Sequence, residues 1–261
     1  MFAGKAGCDI RIVPPIANNS YFMSEQKKIP EIIRLDAHHH QPLRAGGIHL
    51  YVMSVNEMQH DEAELASYLN PDEEVRASRF INSEHGRKYR RVRGMLRKLL
   101  SHYLNMAPGE IEFCYAEHGK PSLKGGSSLH FNLSHSRDMA AYAFSRDHEL
   151  GVDIEYMRPQ KDLAGMMRHV GSSKEQAEIL GLSEDDAYEA FYWLWTRKEA
   201  FIKACGRGLG MGLRSIHIGT RESDSPISVE YKNERLPEWF VQDINPPKIY
   251  KLALCSKCPN D

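Results

Sequence analysis

Trp195-Thr196-Arg197-Lys198-Glu199-Ala200-Phe201-Ile202-Lys203, read together with the earlier Gly151-Val152-Asp153-Ile154-Glu155, decides how this chain folds. In the later stretch Trp195, Glu199 and Lys203 recur at steps of four, so they share one face of a helix. In the earlier one Val152 and Ile154 point to one side of a strand, and Asp153 and Glu155 to the other. Each stretch has a plain reading. Asp153 and Glu155 could be an ordinary polar strand face, and Glu199 with Lys203 a surface ion pair worth about 0.3–0.5 kcal/mol. Each also has a chemical reading. Two carboxylates on one strand face repel each other unless a cation neutralises them, and clustered carboxylate oxygens suit magnesium. Phe191 and Trp195 draw the helix face toward the interior, where a charge is costly without a purpose.

Outward from these stretches the elements follow. Ser183 with Asp186 three residues on is a helix start much like a capping box, and Gly206 can supply the left-handed residue that ends the helix near Cys205. Strands are expected over 215–218, 227–231, 239–244 and 250–255, and mixed helix over 160–181 after Pro159. Upstream, 48–55 reads as a strand. Short helices are expected over 60–69 and 72–82, with Asn70-Pro71 between them and Pro71 suited to a first helical position. Tyr89, Val92, Leu96, Leu99 and Tyr103 form an apolar stripe along a helix over 84–104, stopped by Pro108. Strands over 111–115, 130–133, 139–145 and 151–155 follow. Each half runs strand, short helices, one long helix, then several strands. The expected fold class is therefore α+β: a pair of similar lobes, 48–148 and 149–261, with a cleft at the seam near 146–150, where pockets favour an interface. Residues 1–47, broken by Pro14-Pro15, Asn18-Asn19 and Gly46-Gly47, read as an irregular extension with one short strand over 10–13.

Composition bounds the function. The chain has 261 residues, 41% hydrophobic and 26% charged, with net charge −1. That is ordinary for a globular protein with an ample core, and it supplies no bulk field for nucleic acid or membrane. Five scattered cysteines argue for a reducing, cytoplasmic setting. Cys255-x-x-Cys258 is a lone pair and reads as two reduced thiols rather than a zinc site. His38-His39-His40 reads as solvated tail. There is no signal-like run and no stretch long enough to span a bilayer.

A third motif joins the first two: His118-Gly119-Lys120-Pro121, then His130-Phe131-Asn132-Leu133-Ser134-His135-Ser136. Glycine lets backbone approach a ligand, and Ser134 and His135 offer donors to an anion at a strand end. Taken in order, these elements resemble the 4′-phosphopantetheinyl transferases of the larger, surfactin-synthetase (Sfp) type. The family pattern is a Gly-Lys-Pro turn, a Phe-Asn-x-Ser-His-Ser segment, a Gly-x-Asp-x-Glu strand and a Trp-x-x-Lys-Glu-(Ala/Ser)-x-x-Lys helix. All four are present without a broken position, and the resemblance covers about 48–256.

The resemblance implies two α+β lobes related by a pseudo-twofold, with coenzyme A in the cleft. It implies magnesium held by Asp153, Glu155 and Glu199, with Lys203 on the pyrophosphate or the phosphopantetheine arm. Arg76, Gly119, Lys120, Asn132, Ser134 and His135 would bind coenzyme A, His135 and Arg76 near its 3′-phosphate and Gly119 and Lys120 beside the adenine. Glu199 and Lys203 would be catalytic, Glu199 as the base for a carrier-protein serine, directly or through a water. Glu175 matches a further family glutamate near the site. Near Tyr89 the pattern departs, since the family's type member carries a small hydroxyl residue there. The implied partner is an apo acyl- or peptidyl-carrier protein, and the enzyme is expected to be a cytoplasmic monomer. Two rival readings remain. One is a non-catalytic homologue that binds coenzyme A or a carrier protein. The other is a nucleic-acid binder using Arg87, Lys88, Arg90, Arg91, Arg93, Arg97 and Lys98, a run that would equally serve as a solvated helix face or as support for the cleft.

Overall fold

The computed structural model describes residues 30–35, 41–58, 60–158, 162–220 and 226–258. The expectations at 10–13, His38-His39-His40 and Pro159 lie outside them. Four layers stack as helices, sheet, sheet, helices. The first sheet contains β1 (Glu31–Leu35), β2 (Gly47–Ser54), β5 (His130–Ser136) and β6 (Met139–Ser145) in the order β1-β2-β6-β5. The second contains β7 (Leu150–Tyr156), β8 (Ile216–His217), β9 (Ile227–Tyr231), β10 (Glu234–Ile244) and β11 (Tyr250–Lys257) in the order β7-β11-β10-β9-β8. A hairpin of β3 (Phe113–Tyr115) and β4 (Pro121–Leu123) flanks the first sheet.

Strand alternation builds these layers. On β6, Ala140, Tyr142 and Phe144 face α3 (Ser83–Leu104) together with Val92, Leu96 and Leu99. Ala141 and Ala143 face the other way and join Ile48 and Leu50 against Val152, Ile154, Leu252 and Leu254 of the second sheet. The far face of that sheet, with Val241, Ala253 and Cys255, packs on Ala200, Phe201 and Ala204 of α6 (Glu184–Cys205). Each lobe is thus a sheet carried on one 22-residue helix, the α+β architecture expected from the repeat.

Helix ends follow their caps. Asn82 accepts from Glu84 N to start α3, Ser183 accepts from Asp186 N to start α6, and Gly206, at φ 68°, ends α6 in the left-handed conformation. Shorter helices fill the corners: α1 (Glu62–Ser67), α2 (Pro71–Ser78), α4 (Leu163–Val170) and α5 (Ser173–Leu180). Within the stretch expected to be irregular, β1 pairs in parallel with β2. Its Leu35 is buried, and Arg34 Nη1 donates to Asn245 O of the second lobe at 3.0 Å. Ile32 and Ile33 suit a strand that packs on both faces, a signal too short to outweigh the surrounding breakers.

The basic run of α3 is paired, partly at the surface and partly in the interior. Arg87 meets Glu62, Arg90 meets Glu74, Lys88 meets Asp138 and Lys98 meets Glu64. Arg91 donates to the carbonyls of Asn56 and Met58. Arg93 and Arg97 converge on the buried Glu73. The solvated-face reading fits Arg87, and Arg93 and Arg97 are buried supports. No helix among the described residues is long and apolar enough to cross a membrane.

Candidate active site

The seam between the sheets is closed by side chains. On β5, Asn132, Ser134 and Ser136 share the face opposite Phe131 and Leu133, and each reaches β7. Asn132 Oδ1 accepts from Val152 N at 3.0 Å. Ser134 Oγ donates to Asp153 Oδ1 at 2.9 Å, and Ser136 Oγ to Glu155 Oε2 at 2.7 Å. Asp153 and Glu155 face α6, while Val152 and Ile154 point into the core between the sheets. That geometry depends on Gly151. A Cβ there would stand 2.2 Å from Ala200 O and 2.3 Å from Ala204 N, so only glycine lets α6 lie this close to β7.

The close crossing brings Glu199 and Lys203 to the carboxylates. Lys203 Nζ bonds Asp153 Oδ1 at 2.6 Å and Ser134 Oγ at 2.9 Å. Burial, with Asp153 and Glu155 adding like charge against the opposing pull of Lys203, pushes Glu199 up to about 7. Burial also raises Glu155, against the hydrogen bonds it accepts from Ser136 and Trp195 and with the help of Asp153. Asp153 Oδ2 and Glu199 Oε1 are both buried without a hydrogen-bond partner in the protein. Two orphaned carboxylate oxygens beside a third carboxylate form an all-oxygen donor set, the kind a hard dication takes. Among the described residues no group of three or more His, Cys, Asp or Glu side chains is placed to hold a metal ion. Asp153 is instead bound by Lys203.

The faces of α6 divide the work. Trp195, Glu199 and Lys203 face the site. Ala200 and Ala204 meet Gly151. Arg197 pairs with Asp243 of β10, and Lys198 is buried against Glu175, Val170 O and Leu213 O. Glu175, expected near the site, is fully buried, closes a capping box with Ser172 and meets Lys198 and His217. It anchors the far side of α6 and does not join the carboxylate cluster.

The other expected ligand residues divide. Ser134 joins the cluster. Asn132 is occupied with Val152 and works as a bridge between the sheets. Lys120 donates to Ala204 O at 2.6 Å and Leu150 O at 3.2 Å, tying the β3–β4 turn to the end of α6, and burial lowers its pKa. Gly119 holds that turn at φ 80°. His135 is on the opposite side of β5 from Ser134. Its ring reaches solvent yet is crowded by protein, and this desolvation, with Lys203 and Lys88 nearby, lowers its pKa. Arg76 is exposed on α2, its guanidinium over the Tyr89 ring. The sequence reading gave no role to Ser136 or to the Trp195 indole, both of which bind Glu155. The two-residue spacing of 132, 134 and 136 was the signal for the serine.

Beside Glu155 opens a cavity of about 260 Å³, lined by Ser136, Arg137, Tyr156, Arg158, Met166 and Trp195 among others. Burial also pushes the Cys255 thiol well up, away from the thiolate a zinc ligand needs.

Comparison with known proteins fits this arrangement. Residues 149–255 match the 4′-phosphopantetheinyl transferase superfamily, and 56–146 match the 4′-phosphopantetheinyl transferase N-terminal family. The 4′-phosphopantetheinyl transferase HetI of Nostoc is 33% identical over 202 residues, 76% of this chain and 83% of that protein. The chain belongs to the 4′-phosphopantetheinyl transferase family. Two Bacillus subtilis members are also similar: the transferase ffp, 30% identical over 202 residues, and Sfp, 27% identical over 203, each covering 77% of this chain and 88% of the relative. This chain is therefore an enzyme, a 4′-phosphopantetheinyl transferase, and its family's chemistry sets the terms in which the carboxylate cluster is to be understood.

Proposed function

We propose that this transferase is of the surfactin-synthetase type and moves the 4′-phosphopantetheine arm of coenzyme A onto a serine of an apo acyl- or peptidyl-carrier protein. The reaction depends on magnesium and releases adenosine 3′,5′-bisphosphate. It takes place in the cytoplasm, on a monomer whose lobes, 48–148 and 149–261, meet at the site. The observation that carries this reading is the cluster of Asp153, Glu155 and Glu199 beside Lys203, with two carboxylate oxygens buried and unpaired.

Asp153, Glu155 and Glu199 would hold the ion, and when bound it supplies positive charge where the diphosphate gathers negative charge. Lys203 adds a mobile ammonium at the same place, since its bond to Asp153 can be exchanged for one to phosphate oxygen. Ser134 and His135 offer donors to coenzyme A phosphates, Arg76 meets the 3′-phosphate, and the Gly119–Lys120 backbone borders the adenine. The serine Oγ of the carrier attacks the β-phosphorus. A new P–O bond forms, and the bond to the bridging oxygen breaks. The electron pair leaves with adenosine 3′,5′-bisphosphate, and the serine proton passes to Glu199, directly or through a water.

The test is direct. Protein, coenzyme A, magnesium and an apo carrier protein are incubated together and the carrier is weighed by mass spectrometry. A gain of one phosphopantetheine arm is expected, and none with Glu199→Gln. Coenzyme A binding without any gain on acyl-, peptidyl- or lysine-pathway carriers would make the protein a binding homologue instead.

A further inference from the structure

At the α2–α3 corner, Tyr89 stands between Arg76 and a buried ion network. The Arg76 guanidinium lies over its ring, 5.5 Å from the centroid. Phe80 packs beside it at 5.8 Å. Arg93, bound to the buried Glu73, also donates from Nη2 to Tyr115 Oη at 2.8 Å. Arg76, Arg93, Glu73 and Tyr115 all lie close enough to Tyr89 to act on it electrostatically, and its half-buried position raises its pKa. The ring thus has Phe80 and the Arg76 guanidinium against it and a buried ion network nearby. Arg76, by contrast, is exposed, on a long side chain whose freedom must be given up when it grips an anion. A guanidinium resting on an aromatic face has already surrendered part of that freedom.

We propose that Tyr89 is a positioning residue: its ring presents Arg76 to the 3′-phosphate of coenzyme A. This rests on the coenzyme A placement proposed above. It also accounts for the departure from the family pattern at this position. A small hydroxyl residue would touch the phosphate itself, whereas the tyrosine acts through Arg76.

The experiment measures KM and kcat for coenzyme A and for dephospho-coenzyme A, which lacks the 3′-phosphate, with one apo carrier protein. Wild type, Arg76→Ala, Tyr89→Phe and Tyr89→Leu are compared, with Tyr89→Met, similar in bulk but without a ring, replacing the leucine variant should it unfold. Wild type is expected to favour coenzyme A, and Arg76→Ala to lose most of that preference. Tyr89→Leu should raise KM for coenzyme A by about twofold to fivefold, with KM for dephospho-coenzyme A and kcat unchanged. Tyr89→Phe, which keeps the ring face, should match wild type. A full preference in Tyr89→Leu alongside its loss in Arg76→Ala overturns the positioning role. So does equal loss in Tyr89→Phe and Tyr89→Leu, which would mark a direct hydroxyl contact. A preference that survives Arg76→Ala, or is absent from wild type, overturns the placement of the 3′-phosphate and this inference with it.

Discussion

Replacing Glu199 by glutamine removes a group whose burial cost can be measured without any substrate. In the folded protein Glu199 is raised from 4.5 to about 7. At about 1.4 kcal/mol for each pH unit, that rise corresponds to roughly 3 kcal/mol of linked stability. The direction follows from which state binds protons more tightly. Because the folded pKa is the higher one, the contribution is complete below the unfolded value and is lost as pH climbs through 7. Urea unfolding of metal-free protein at about pH 5 and about pH 8 reads it. Between those values wild type should lose on the order of 2–3 kcal/mol more than Glu199→Gln, and magnesium should restore most of the loss at the higher pH. Glu155, also raised, is coupled to Glu199, so part of its own contribution is included in the difference. Parallel stability curves for the two proteins would refute the crowded carboxylate site on which the reasoning stands.

Further outcomes follow from single contacts. Gly151→Ala drives a Cβ into the α6 backbone; it should cost about 1–3 kcal/mol, a fall of several degrees in melting temperature, and activity should fall further than stability as Glu199 shifts from Asp153. Asp153→Ala should raise the magnesium concentration for half-maximal transfer by about tenfold or more, and an unchanged magnesium titration rejects Asp153 as a ligand. Glu73→Gln strands two buried guanidiniums and should destabilise by about 3–5 kcal/mol in thermal or urea unfolding. A loss below about 1 kcal/mol would mean that the pair is solvated.

Much of this was legible in the sequence because local signals agreed with the global fold. The 139–145 strand and the end of α6 at Gly206 follow from alternation and from a left-handed cap, both local. The long helix α3 follows from an apolar stripe that repeats over many turns. β1 was not legible, since five residues among breakers carry too little pattern and its pairing with β2 is set by packing. The carboxylates Asp153, Glu155 and Glu199 were legible by type and spacing. The contacts that Asn132, Lys120 and Glu175 make within the fold were not. Each carries a residue type suited to a ligand, yet each is occupied by a backbone group or a counter-ion that only tertiary contact supplies. The arginines of α3 left three readings open, because their partners Glu62, Glu73 and Glu74 lie on the two preceding helices.

The most direct measurement is anomalous scattering from crystals grown with coenzyme A and manganese in place of magnesium. A single strong peak bounded by the carboxylates of Asp153, Glu155 and Glu199 and touching the diphosphate is the expected result. A peak elsewhere, or coenzyme A bound with its diphosphate away from these three side chains, would contradict the account.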